Sequence, residues 1–150
     1  MKRIATICVT MSAAALFGCM PIEPPEGYIK DSSSHAYDFK AVSARGNVIA
    51  CNVRANENSK ADLKYWSDAV EYQKVDIDGM RLAGRETITS NGGTKGVLFN
   101  FESGEGQGKT AYLVALYVTP MRIYTIEATG PADSITRDMD KLKASMQSIR

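Results

Sequence analysis

Apolar residues run along this chain first as one block, then at every second position, with helical spacing in two stretches. The block is Ile4 to Phe17. From about Ala36, the residues Tyr37, Phe39, Ala41 and Ser43 alternate with Asp38, Lys40, Val42 and Ala44, the period of a half-buried strand. Arg45-Gly46-Asn47 is a turn signal. Ile49, Cys51 and Val53 then mark a second strand, and the two predict a hairpin. A cap at Asn58 or Ser59 would start a helix running to about Gln73. Its stripe is Leu63, Trp66 and Val70, with Ala69 alongside and Tyr65 and Tyr72 on the flank.

After Asp76 to Gly79 the period returns to two. Met80, Leu82 and Ile88 share one parity of a strand over about 80–90, and Asn91-Gly92-Gly93 turns the chain. Val97, Phe99 and Phe101 mark the inner face of the next strand, and a glycine-rich loop follows from Ser103 to Gly108. Lys109 to Thr119 is apolar on both parities, as expected of a central strand covered on both faces. Pro120 interrupts, and Arg122 to Thr129 makes the last strand. Past Gly130-Pro131, with Asp133 or Ser134 as cap, Ile135, Met139, Leu142, Met146 and Ile149 form an amphipathic helix. Arg137, Lys141, Lys143 and Gln147 lie on its other face. The expected fold class is α+β: a largely antiparallel sheet of about six strands with two helices, in the order ββαββββα.

The apolar block changes the picture of the N-terminus. Lys2 and Arg3 precede it and Leu16-Phe17-Gly18-Cys19 closes it, the layout of an export signal that ends on a cysteine. Its 14 residues are too few for the ~20 that span a bilayer as a helix. The segment resembles the lipobox of bacterial lipoproteins, with Leu16, Gly18 and Cys19 matching and Phe17 departing from the small residue usual there. The resemblance implies cleavage before Cys19 and a diacylglycerol on its thiol. It also implies an anchor facing the periplasm, at the inner leaflet of the outer membrane if Met20 is read by the enteric sorting rule. The expected organisation is a signal over 1–18, a lipidated cysteine and loose tether over 19–35, and one domain over 36–150. Pro21, Pro24, Pro25 and Ser32-Ser33-Ser34 give the tether its composition, with a reach of roughly 45 Å if extended.

The element order resembles the Mog1/PsbP/DcrB-like group. Gly79 before the post-helix strand, Arg122-Ile123-Tyr124-Thr125-Ile126 in the last strand, and Ser145 and Ser148 at the helix end carry the likeness. The group includes exported lipoproteins, a photosystem accessory protein, a GTPase-binding protein and secretion chaperones, and the fold alone transfers none of these roles.

Charge and cysteines narrow the partners. The signal takes two of the 18 basic residues and none of the 17 acidic ones, leaving 16 against 17. No basic surplus remains for a phosphate backbone, so nucleic acid is not an expected partner. Cys51 is the one thiol left after Cys8 is removed and Cys19 acylated, and its alternating context points it to the core. No Cys/His cluster has metal-ligand spacing, and no cofactor is expected beyond the lipid.

Catalytic signals are sparse. Gly104 to Thr110 ends like a phosphate-binding loop, but Ser103 stands where the first glycine is needed and a strand, not a helix, should follow. No nucleotide is expected. The chain lacks Gly-x-Ser-x-Gly, Ser-x-x-Lys and His-Glu-x-x-His. A hydrolase would need polar groups such as Glu86, Glu102, His35 and Tyr112 to converge. Tyr65, Tyr72, Tyr112 and Tyr117, with Trp66, could instead form an aromatic binding surface. The expected function is a membrane-anchored, non-catalytic module that binds a protein or another envelope component. An envelope inhibitor or immunity protein is the alternative.

Overall fold

The computed structural model describes residues 20–33, 35–57 and 61–149. The lipobox and Cys19 lie outside them. The elements are β1 (Tyr28–Lys30), β2 (Phe39–Ser43), β3 (Val48–Ala55), α1 (Leu63–Tyr72), β4 (Arg81–Thr89), β5 (Lys95–Ser103), β6 (Thr110–Val118), β7 (Arg122–Pro131) and α2 (Ala132–Gln147). All strand pairs are antiparallel, in one seven-stranded sheet ordered β1-β2-β3-β7-β6-β5-β4. The fold is α+β, with one strand more than the hydrophobic pattern predicts.

That strand corrects the tether. Residues 20–30 are not loose: Ile22 is 1% exposed, and Met20 packs on the same core. From Ile22 the chain runs along α2 in the opposite direction. The Glu23 N–H donates to Ser148 Oγ and the Glu23 carbonyl accepts from Ser145 Oγ. Pro24 and Pro25 lie beside Lys141 and Ala144, and the Tyr28 hydroxyl donates to Asp138 at 3.0 Å. The chain then enters β1, whose Tyr28 pairs with Ser43. Past β1, Asp31 accepts from the N–H and hydroxyl of Ser33 and pairs with Lys40 at 2.9 Å. The Ser33 hydrogen bond, with Lys40 beside it, holds the Asp31 carboxyl down at about 2.

The sheet has two unlike faces. Odd positions of β6 and even positions of β7 face α2, so Leu113, Ala115, Tyr117, Tyr124 and Ile126 pack with Ile135, Leu142 and Met146 in the main core. Cys51 belongs to this core, as its alternating context predicts, and burial pushes its thiol up to about 12. Gly96 sits opposite Tyr117 across β5 and β6, and a methyl there would lie 2.6 Å from the Tyr117 ring. The close cover of the ring therefore requires glycine at that pairing.

The second face carries a smaller cluster of Phe99, Phe101 and Val114, against which Val70, Val75, Met80 and Leu82 pack. α1 covers it only in part. Asp62 caps this helix by accepting from the Tyr65 N–H at 2.9 Å, so the helix starts later than predicted, and the predicted caps Asn58 and Ser59 lie outside the described residues. The helix ends in a π-helical turn over Gln73–Ile77 and a left-handed Gly79, which returns the chain to β4. On the predicted stripe, Leu63, Trp66 and Val70 are half-buried and Ala69 is exposed. The small residue Ser67 is the one α1 residue that is fully buried. At the start of α2, Pro131 stands in the cap position without a side-chain bond, so neither Asp133 nor Ser134 caps it.

Candidate functional site

The incomplete cover of the second face creates the site. One side of α1 is tied to β4: Arg85 pairs with Glu71 at 3.0 Å and its guanidinium lies 5.1 Å from the Phe99 ring centroid. The other side stands off β3 and β7, leaving an open groove of about 570 Å³. That volume lies within the range of small-ligand pockets, ~300–1,000 Å³.

The floor of the groove is apolar. Val114 and Leu116 of β6 and Ile123 of β7 are buried beneath it, and Val70 and Trp66 close it from the helix. The walls are polar. Asn52 and Arg54 project from β3, two residues apart and therefore on one face, opposite Thr125 and Ile123 of β7. Gln73 and Lys74 stand at the far end of α1, while Tyr37 closes the side next to β2. Apolar floor with few polar groups at the rim is the composition of a recognition site.

Trp66 is the central residue. Its indole Nε1 is buried and has no hydrogen-bond partner among the described residues. Tyr65 meets the ring edge-on, at 5.4 Å between centroids and 89° between planes. An indole N–H kept from water without an acceptor costs free energy. The N–H is covered in this conformation, so a carbonyl or carboxylate oxygen in the groove recovers that cost only once the ring turns toward the opening.

The far end of the groove is electrostatically set. Glu127 of β7 lines it and lies near Tyr112. Burial, with the Glu127 charge adding to it, raises the Tyr112 phenol far above its ordinary range, so this hydroxyl stays protonated. The Lys74 ammonium lies 4.4 Å from the Tyr112 ring centroid and pairs with Asp78 at 3.0 Å. These groups order one another and suit orientation of a ligand rather than proton transfer to it.

The predicted aromatic surface is dispersed. Tyr65 and Tyr72 are each 60% exposed on α1. Tyr112 is half-buried on the same face of the sheet. Tyr117 is a correction: it is 0% exposed, lies on the opposite face in the α2 core, and presents nothing to a partner. Its phenol has no partner among the described residues, and burial pushes it up to about 12. The groove residues Tyr37, Asn52, Arg54 and Thr125 escaped the sequence reading as site residues, and Glu127 figures there only as a strand carboxylate for acid–base work with Glu86 and Glu102. Their parity on β3 and β7 marks them as one face, but only the placement of α1 turns that face into a groove.

The candidate hydrolytic groups do not converge. Glu86 pairs with Lys143 of α2 at 2.6 Å. Glu102 pairs with Lys109 at 2.8 Å and with Arg81. His35 is exposed ahead of β2, and Tyr112 lies on the α1 face. The Gly104 to Thr110 stretch makes a single 3₁₀ turn at Gly106–Gly108 and then enters β6, so no helix terminus meets Lys109. Among the described residues no three His, Cys, Asp or Glu side chains come together as a metal site.

No family model matches the chain, and no curated protein matches it by sequence. Solved structures do match it. The solution structure of the cyanobacterial PsbP protein CyanoP from Synechocystis sp. PCC 6803 superposes with a TM-score of 0.61, covering 93% of this chain and 98% of that one at 10% identity. The crystal structure of a protein of unknown function, PA94, from Pseudomonas aeruginosa gives a TM-score of 0.50 over 85% and 84% of the two chains at 15% identity. The chain thus has the PsbP-like fold. At these identities the likeness concerns the fold alone.

Proposed function

We propose that the mature chain is a lipid-anchored envelope protein that binds a partner in the α1 groove without acting on it chemically. The anchor is the diacylglycerol on Cys19 that the lipobox resemblance implies, and the domain faces the periplasm from the outer membrane. Trp66 carries the binding half of this reading: a half-buried ring over an apolar floor, with its N–H unanswered. Arg54, Asn52 and Lys74 at the rim select for a partner segment bearing carbonyl or carboxylate groups. The dispersal of Glu86, Glu102, His35 and Tyr112 favours binding over hydrolysis.

The test is a photo-reactive residue placed at Asn52 in the acylated protein within intact envelopes, with the same residue at Gly106 as reference. One adduct formed from position 52, absent from position 106 and lost on Trp66→Ala, is the expected result. Adducts of equal pattern from both positions would remove the groove from the proposal.

A further inference from the structure

We infer that the acylated protein stands directly on the bilayer on one defined pole, with Met121 entering the headgroup region. The inference rests on the Cys19 anchor of the preceding reading. Its own content comes from where the folded body begins.

Ile22 is buried in the core, so three residue steps separate it from Cys19, a span of at most about 10 Å. A lipid embedded in the membrane therefore holds the body against the surface, where a free tether would let it turn over. The pole that meets the surface follows from chain direction. The strap runs antiparallel to α2, from Glu23 at Ser148 and Ser145 to Tyr28 at Asp138. Traced backward, it leaves the body at the C-terminal end of α2.

The strand registers put three other features at that end. The Asn91 N–H donates to the Gln147 carbonyl at 2.7 Å, and Gln147 Nε2 to the Thr89 carbonyl, which ties the β4–β5 turn to the end of α2. Gly96 pairs with Tyr117 and Val118 with Ile123, which places the β6–β7 turn beside it. Ala55, the last residue of β3, pairs with Arg122. The β6–β7 turn carries Met121, an apolar side chain 78% exposed. Its backbone is fixed, because Met121 accepts from the Asn56 N–H and Thr119 Oγ1 accepts from the Arg122 N–H at 2.9 Å. Lys95 and Arg122 are exposed at the same pole, as are Glu57 and Asp62. With Arg54 and Glu23 also exposed toward this pole, the charges of the described residues there carry no strong basic surplus, so the lipid supplies the affinity and Met121 sets the contact.

One consequence concerns the groove. Trp66 lies in the first turns of α1, and Arg54 and Ile123 lie at the β3 and β7 ends nearest this pole. The groove thereby engages its partner close to the membrane surface, and the Ser103 to Gly108 loop points away from it.

The test uses the full acylated protein in vesicles of phosphatidylethanolamine and phosphatidylglycerol, labelled at Met121→Cys or Gly106→Cys. Cys51 is buried with its thiol raised, so it stays unlabelled, and an unsubstituted control checks this. We expect several-fold weaker quenching by aqueous iodide at position 121 than in the soluble Cys19→Ser protein, with no change at position 106. A flexible insert of about ten residues after Cys19 restores quenching at 121. Equal quenching at both positions in protein whose mass shows the acyl chains overturns the orientation and leaves the anchor intact. A mature chain without acyl mass overturns the anchor, and the orientation with it.

Discussion

The backbone N–H of Glu23 donates to Ser148 Oγ at 2.7 Å, 125 positions further along the chain. Ser148 Oγ in turn donates to the Ser145 carbonyl, and Ser145 Oγ donates to the carbonyl of Glu23. Two serines at the end of α2 thus satisfy both backbone groups of one strap residue. The serine-rich helix end is a clamp for the N-terminal segment.

Removing the strap's apolar anchor should therefore cost as much as a core truncation. Ile22→Ala should destabilise the domain by about 2–5 kcal/mol in a urea melt of the soluble Cys19→Ser protein. Ser148→Ala should cost about 1 kcal/mol, through the unanswered Glu23 N–H. An effect of Ile22→Ala below about 0.5 kcal/mol, the level of ordinary surface changes, would show that the strap is not part of the folded unit.

The strap also shows where sequence reading stops. Ile22 has only Met20 as an apolar neighbour among Pro21, Glu23, Pro24 and Pro25, too short a run to establish a period and reveal a buried side. Its burial depends on α2, which lies more than a hundred residues away and has no local signature. By contrast, Ile135, Leu142 and Met146 were legible because helix geometry alone puts them on one face, and all three are buried. β6 lies between these cases. Its run of apolar residues on both parities reveals a strand covered twice, but it does not say which parity meets which helix. Tyr117 and Tyr112 therefore read alike and ended on opposite faces. The groove was illegible for the same reason: Asn52 and Arg54 take the parity opposite Cys51 and Val53, which marks one face of β3 but not the groove that α1 makes of it.

Tyr117 offers a second check. A fully buried hydroxyl with no partner destabilises the folded state relative to a ring without it. Tyr117→Phe should leave the urea midpoint unchanged or raise stability by about 1 kcal/mol, and should leave the groove cross-link intact. A loss of more than about 1 kcal/mol would mean that the hydroxyl is engaged after all.

Alkaline pH tests the same core. The Cys51 thiol is raised from 9.0 to about 12 and the Tyr117 phenol from 10.0 to about 12, both mainly by burial. Each group is neutral when protonated, and each releases its proton more easily in the unfolded chain. Below 9 neither contributes a pH dependence. As pH rises toward 12 the unfolded chain ionises first and stability falls. The urea midpoint should drop across that window in the Cys19→Ser protein, and the drop should shrink in a variant that also carries Cys51→Ala and Tyr117→Phe. An identical decline in both proteins would assign the alkaline loss to other groups.

Trp66 separates stability from recognition. Trp66→Ala removes a half-buried ring from α1 and should lower stability along with any binding, so by itself it cannot tell a packing role from a binding one. Trp66→Phe is the more informative change, because it keeps an aromatic ring in the groove lined by Leu116 and Ile123 while removing the N–H together with one ring of the indole. In the free protein that N–H has no acceptor among the described residues, so its loss should change the urea midpoint little. In the complex it would donate to the partner, where a lost hydrogen bond from a buried group costs about 1–3 kcal/mol. Cross-linking yield from Asn52 should then fall several-fold while the melt drops far less than in Trp66→Ala. A melt and a yield that both remain at wild-type values would show that the indole N–H makes no contact with the partner. Recognition would then have to come from the polar rim of Arg54, Lys74 and Glu127.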